Sequence, residues 1–301
     1  MTLLQEKQCI FCNSTDIETK PAKFAPFISE RINKSSDISF NLIHCKHCGS
    51  AFYDYRYDED EVQKIYDGYR NQKYQTVRQK YENWYSPEIN YLIGNAEKSV
   101  KSRNKNLIKI LRENININNI KTILDFGGDQ GQYIPDIFNN AKKFVYDISN
   151  VDVLDGIIPI RDIKSCYEKN KEGYDLIMCA HVLEHLANPE ETIKIIKPLL
   201  SKHGYLYIEV PFDSPFYRTI SDNISYLFNK YFKLKDIIKK YFEMKNQKYV
   251  PMHEHINFYT IEGLNCLLER NNFKIKYSKI KKVYSVIGMS KVISALYCLE
   301  D

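Results

Sequence analysis

Thr122-Ile123-Leu124-Asp125-Phe126-Gly127-Gly128-Asp129-Gln130-Gly131-Gln132-Tyr133-Ile134 sets an apolar, β-branched run against a turn holding three glycines. A strand that enters such a turn and leaves it into a helical pattern is the local form of a nucleotide-binding βα unit. The glycines let the backbone come close to a ligand, and a helix starting just beyond them aims its unpaired N–H groups at the same spot. Taken alone, the loop is also the form of a bare structural turn, so the sequence around it decides its meaning.

Phe144-Val145-Tyr146-Asp147 reads as a second strand that ends in an acid sixteen residues after Gly131, where a carboxylate can accept from the two hydroxyls of a ribose. Tyr174 to Ala180 reads as a third strand and runs into His181-Val182-Leu183-Glu184-His185 and Asn188-Pro189. Glu190 to Leu200 has helical spacing, Gly204 breaks it, and Tyr205 to Pro211 forms another strand. Strands alternating with helices imply a mainly parallel sheet covered on both faces.

These residues together resemble a class I S-adenosylmethionine-dependent methyltransferase, closely over about residues 105–215. The resemblance implies a Rossmann-like core in which Asp125, Gly127, Gly128, Gly131, Asp147, Ala180 and His181 hold S-adenosylmethionine. Members of that family usually carry glycine at alternate positions after the loop acid, and Asp129 occupies the middle one here. A dehydrogenase fits less well, because the loop lacks the G-x-G-x-x-G spacing.

Eight cysteines divide unevenly. Cys9-Ile10-Phe11-Cys12 and Cys45-Lys46-His47-Cys48 form two C-x-x-C knuckles with 32 residues between them, and the other four cysteines are singletons. Two such knuckles point to four thiolates around a closed, structural Zn²⁺. Disulfides, idle thiols and an iron–sulfur cluster are the alternatives, and a reducing compartment disfavours the first. No stretch approaches the ~20 apolar residues of a membrane span and the first residues carry no export pattern, so a cytoplasmic location is expected. At 44% hydrophobic and 27% charged residues, the composition is that of an ordinary globular protein.

From Tyr53 to Asn90 the chain turns to tyrosine, arginine and acid. Tyr66, Tyr69, Arg70 and Tyr74 fall near one face of a helical pattern. Two readings follow: a helical hairpin with half-buried tyrosines, or an acceptor pocket in which Tyr69, Arg70, Tyr74 and Arg78 stack on a ring and clamp a phosphate. The net charge of +5 sits entirely in residues 216–250, with eight Lys or Arg against three acids. Leu227, Phe228, Tyr231, Leu234, Ile238, Tyr241 and Phe242 recur there at helical spacing, which predicts an inserted basic amphipathic helix acting as a lid or a peripheral membrane contact. A basic excess confined to one helix argues against a nucleic-acid partner.

The segment closes on Pro251-Met252-His253-Glu254-His255-Ile256-Asn257. It lacks the H-E-x-x-H spacing of a helical zinc protease, and a plain helix start at Thr260 is its bland reading. With the four-cysteine module and Glu184-His185, it resembles bacterial methyltransferases of deoxysugar and surface-polysaccharide pathways. In the sugar C-methyltransferases of that group a Tyr, a Glu and two His serve the acceptor; Glu254, His255 and His185 stand at matching places, and Met252 replaces the Tyr. Those relatives also continue into a further C-terminal domain, whereas this chain stops at Asp301. Both departures favour O-methylation of a sugar, nucleotide sugar or related polar phosphorylated acceptor in capsule or lipopolysaccharide assembly, with His255 as leading base beside Glu254 and His185 as second candidate. A sugar C-methyltransferase, an RNA or protein methyltransferase and a non-catalytic scaffold are the competing readings. The expected organisation is a zinc module over 1–60, helices over 61–104 and an α/β methyltransferase domain over 105–301 with the insertion 216–250.

Overall fold

The computed structural model describes residues 2–4, 8–35, 37–69, 71–149, 151–213, 248–286 and 288–300. Arg70 and all but the last residues of the basic insertion 216–250 lie outside them. The chain begins with β1 (Thr2–Leu3), β2 (Ile17–Phe24), α1 (Pro26–Ile32), β3 (Phe40–Cys45), β4 (Ala51–Tyr53) and β5 (Tyr55–Arg56). Helices α2 (Glu59–Tyr66), α3 (Gln72–Tyr81), α4 (Pro87–Leu92) and α5 (Glu97–Asn114) follow. Next come β6 (Thr122–Phe126), β7 (Lys142–Tyr146), β8 (Ile157–Ile160), α6 (Ile163–Lys169), β9 (Tyr174–Ala180), α7 (Pro189–Ile196) and β10 (Leu200–Pro211). The last described elements are β11 (Val250–Met252), β12 (Asn257–Phe258), α8 (Ile261–Glu269), β13 (Phe273–Ser285) and β14 (Gly288–Leu299).

Two compact units result, the first built from residues 1–93, 213–258 and 286–288 and the second from 94–212, 259–285 and 289–301. The division runs differently from the expected one, because residues 250–258 leave the catalytic sequence to join the N-terminal sheet. That sheet has the order β11-β2-β3-β4-β12. β11 pairs parallel with β2, and β12 pairs antiparallel with β4. No local pattern announces a pairing between segments some 200 residues apart. Phe24, Phe27, Phe40, Tyr53, Tyr55 and Tyr74 form its aromatic core. Asp58 caps α2 through a reciprocal pair with Glu61, each side chain accepting from the other's backbone N–H at 3.0 Å. The tyrosines expected on one helical face are separated, Tyr66 ending α2, Tyr74 lying in α3 and Tyr69 in the turn between them, since the chain breaks at Gly68 with φ +59°. Their rings still gather, with Tyr69 centred 5.6 Å from Tyr66 and 5.3 Å from Tyr74.

The second unit is the expected Rossmann-like sheet, in the order β13-β14-β10-β9-β6-β7-β8. β10, β9, β6, β7 and β8 are parallel, and β14 runs antiparallel to β10. One face packs Leu107, Ile110 and Leu111 of α5 against Ile123, Leu176, Met178 and Tyr207. The β6–β7 connection covers the same face through Ile134 and Phe138. Right-handed crossovers then place α6 and α7, which step the other way across the sheet, on the opposite face. α7 ends at Ile196 ahead of Pro198, so Gly204 lies inside β10 instead of ending a helix. A Cβ at Gly204 would stand 2.6 Å from the Tyr174 carbonyl oxygen, which accounts for glycine at that register shift.

One expectation fails. The glycine loop opens no α-helix, and between it and β7 the described residues hold only a 3₁₀ turn at Asp136–Phe138. Pro135 lacks an N–H and pushes Ile134 away from the α region, so no helix runs from the glycine loop through this point. Any ligand at the loop therefore meets individual backbone groups without a helix N-terminus behind them.

Candidate active site

In the second unit the chain steps from β6 to β7 and β8 in one direction, then returns to β9 and β10 on the other side of β6. The gap between the carboxyl ends of β6 and β9 is thus the point where strand order reverses, the preferred ligand crevice of open α/β sheets. Gly127 leaves β6 there and His181 leaves β9. A Cβ on Gly127, whose φ is +73°, would lie 2.4 Å from Val182 Cγ2, so the two turns touch. Gly128 sits on the Asp125 carboxyl, since a Cβ would fall 2.4 Å from Asp125 Cγ. Asp129 adopts φ +54°, a left-handed conformation that Asp tolerates better than most residues, and so the turn survives without the middle glycine.

Asp147 is joined to the loop: its Oδ2 accepts from Asp129 N at 2.9 Å and its Oδ1 from Ser149 N at 2.7 Å. A carboxylate offers about four lone-pair sites, so both oxygens retain capacity for ribose hydroxyls. Beside it, Ile148 is 69% exposed, an apolar surface of the kind a purine ring covers. Sequence reading passed over Ile148, which carries no local motif. Gly131 has a different job: a Cβ would meet Ile157 Cδ1 at 2.5 Å, so its smallness serves packing.

Asp125 is 2% exposed, and its Oδ2 has no hydrogen-bond partner among the described residues. Burial pushes its carboxyl up to about 7, with Arg103 pulling the other way. Arg103 of α5 reaches β10, donating from Nε to Glu209 Oε1 at 2.6 Å, and lies over the Tyr133 ring at 3.8 Å from the centroid. Tyr207 Oη donates to the other Glu209 oxygen at 2.8 Å. Burial alone would raise the Glu209 carboxyl, but Arg103 and then His181 outweigh it and hold it at about 2. His181 completes the cluster, with Nδ1 3.2 Å from Glu184 Oε1 and Nε2 3.4 Å from Glu209 Oε1. Burial and Arg103 oppose a charged ring there, yet the two carboxylates raise His181 above its ordinary range. Ala180, the last residue of β9, borders a small hollow together with Arg103, Tyr133 and Glu209. Arg103 and Glu209 were not anticipated; the signal was one acid inside the apolar run Tyr205-Leu206-Tyr207-Ile208-Glu209-Val210. His185 lies just beyond, its Nε2 3.9 Å from Glu184 Oε1.

The other two candidate catalytic residues belong to the first unit and do not act as the expected pair. Glu254 Oε1 accepts from Arg78 Nη1 at 2.7 Å and from Tyr74 Oη at 3.1 Å. Arg78 also donates to Glu82 at 3.0 Å and stacks 4.4 Å from the Tyr85 centroid. The packed reading of the tyrosine-rich stretch is therefore the one realised at Tyr74 and Arg78. His255 finds its carboxylate elsewhere, with Nδ1 3.2 Å from Asp213 Oδ2, and His253 Nδ1 lies 3.4 Å from Glu82 Oε1.

The four N-terminal cysteines meet. Their sulfurs lie within 4.8 Å of one another, with Cys9–Cys48 at 3.7 Å and Cys12–Cys45 at 3.5 Å. A tetrahedron of thiolates at the usual zinc–sulfur length has edges of about 3.8 Å, so the set fits the ion. The knuckles repeat each other bond for bond. Asn13 N donates to Cys9 O as Gly49 N does to Cys45 O, and Cys9 N donates to Ser14 O as Cys45 N does to Ser50 O. Asn13 and Gly49 both take left-handed φ, +61° and +75°, to close these turns.

Residues 96–278 match the model of a family described as a methyltransferase domain. Among solved structures, a SAM-dependent methyltransferase from Anabaena variabilis shares 14% identity over 72% of this chain and 94% of its own, with a TM-score of 0.46. The 1,6-didemethyltoxoflavin-N1-methyltransferase of Burkholderia thailandensis, solved with its substrate and S-adenosylhomocysteine, shares 12% identity over 86% and 99%, with a TM-score of 0.48. The plantazolicin methyltransferase BpumL, also with S-adenosylhomocysteine, shares 17% over 79% and 99%, with a TM-score of 0.42. No curated protein matches the chain. No helix among the described residues is long and apolar enough to cross a membrane. Because the family match spans more than half of its length, the chain belongs to the methyltransferase domain family.

Proposed function

We propose that the chain uses S-adenosylmethionine to O-methylate a sugar, a nucleotide sugar or a related polar phosphorylated acceptor in capsule or lipopolysaccharide assembly, from a cytoplasmic location. The cofactor supplies a methyl group made electrophilic by its sulfonium. Asp147 accepts from the ribose hydroxyls, Ile148 covers the purine, and the Gly127–Gly128 backbone with the partnerless Asp125 oxygen receives the amino-acid end. Ala180 and His181 close the β9 side of that site. Cys9, Cys12, Cys45 and Cys48 hold a structural Zn²⁺ that fixes the ends of the N-terminal sheet.

The single observation that supports oxygen as the target is the pairing of His255 with Asp213. An alcohol loses its proton as the new bond forms, and a positioned imidazole assists that step. When Nδ1–H donates to the Asp213 carboxylate, the basic lone pair of the ring is on Nε2. Met252, where a Tyr would stand in the carbon-methylating relatives, is buried and has no proton to handle, which disfavours carbon as the target. Glu254 serves as the fixed anion for Arg78 and so helps shape the segment that carries His255.

Transfer of labelled methyl from S-adenosylmethionine to a panel of nucleotide sugars tests the reading. His255→Ala should lower turnover by roughly 10²–10⁴-fold while calorimetric affinity for S-adenosylhomocysteine is unchanged. Should His255→Ala keep most activity while His185→Ala abolishes it, the base is His185.

A further inference from the structure

Helix α5 carries Lys101, Lys105, Lys109 and Arg112 at spacings of four, four and three, a single stripe about 17 Å long. Lys101 is paired with Glu97 and Lys109 reaches Glu113 at 3.8 Å, while Lys105 and Arg112 have no ionic partner among the described residues. The stripe and Glu113 border an open groove of about 620 Å³ whose other wall is Pro135, Asp136 and Ile137, so four cations outnumber two acids along it. Ile108 and Ile137 give the groove apolar surface, and Ile137 is 36% exposed.

The groove exists because of the missing helix. Parallel strands are ordinarily joined by a crossover helix, as α6 joins β8 to β9 and α7 joins β9 to β10. The β6–β7 connection has only its 3₁₀ turn, so the sheet face beside α5 is covered by a loop. What remains is a trough as long as three helical turns, with an apolar bed and a ladder of cations set at helical period.

We infer that this groove binds an acidic amphipathic helix of a partner protein. A helix lying along α5 presents carboxylates at i and i+4 with the same rise of about 6 Å as the lysines, and its apolar stripe falls on Ile108 and Ile137. A compact phosphate ligand would use one rung of the ladder and leave the apolar bed bare. A nucleic-acid strand would match the cations and have no use for Ile137.

The test is selection from a display library of random 18-residue peptides on the full-length protein, with counter-selection on the double variant Lys105→Glu/Arg112→Glu. Neither residue belongs to the cofactor site, and melting temperature and S-adenosylhomocysteine affinity of the variant should equal those of the parent. Enriched peptides should show acids at i and i+4 beside an apolar stripe. Their affinity by fluorescence anisotropy should fall at least tenfold both in the double variant and in Ile137→Asp. Three results overturn the inference: a pool with no enrichment of acids, peptides that bind the double variant equally well, or a labelled (dT)18 strand that binds more tightly than the selected peptides and is insensitive to Ile137→Asp.

Discussion

Replacing Asp125 by Asn should flatten the pH dependence of stability. Buried at the end of β6, this carboxyl is pushed from its ordinary 3.8 up to about 7. Between those values the folded chain holds a proton that the unfolded chain has released. Folded protein therefore binds more protons there, and stability falls as pH rises through the window. At 1.36 kcal/mol for each pH unit, the loss is about 4 kcal/mol in all, more than half of it between pH 5 and 8. Asn titrates nowhere in this range. Its amide carries a desolvation cost of its own, but that cost is independent of pH, so the slope and not the absolute stability is the readout. Urea unfolding of parent and Asp125→Asn, followed by circular dichroism at intervals from pH 5 to 8, should give curves that diverge by about 2–3 kcal/mol. Parallel curves would refute the assignment of a proton to Asp125.

The same carboxyl should lose its proton when a cationic amine arrives, so calorimetry of S-adenosylhomocysteine binding at pH 6 in buffers of different ionisation enthalpy should report proton release in the parent and none in Asp125→Asn. Arg78→Ala leaves Glu254 and Glu82 without their buried cation and should destabilise the first unit by about 3–5 kcal/mol in urea unfolding, whereas a change within 1 kcal/mol would mean that the ion pairs are dispensable. Gly131→Ala places a Cβ 2.5 Å from Ile157 Cδ1 at φ +81° and should cost about 1–3 kcal/mol; an unchanged melting temperature would contradict the packing role. Elemental analysis should return about one zinc per chain, lost in Cys45→Ser together with cooperative melting of the N-terminal unit, and a stable metal-free preparation would dismiss the zinc site.

The features that could be read from sequence are those written in consecutive residues. The run into Gly127, the acid after β7 and the paired knuckles each depend on neighbours a few positions away, and the chain builds them where they were expected. Features that depend on distant partners could not be read. Glu254 looks like the companion of His255 because it is adjacent, yet Arg78 takes it and Asp213 pairs with His255. β11 and β12 have no periodicity of their own, being three and two residues long, and acquire strand form only from β2 and β4. The absent helix after the glycine loop is an intermediate case. Pro135, four residues after Gly131, stops the helix that the glycine pattern alone implies.

The route of the chain through its N-terminal sheet has a consequence for synthesis. β2, β3, β4 and both knuckles are made well before β11 and β12, and the four-cysteine set is complete as soon as Cys48 is free. Both edges of the sheet stay bare until β11 and β12 arrive, some 200 residues later. At ordinary elongation rates that interval is about 10–40 s, during which the edges of β2 and β4 are open templates for the strands of other nascent chains. β2 meets this period with Lys20, Pro21 and Lys23 on an otherwise inviting edge, residues that resist strand addition. The N-terminal sheet is thus completed long after its first strands are made, and Lys20, Pro21 and Lys23 guard its edge in the interval while having no part in methyl transfer.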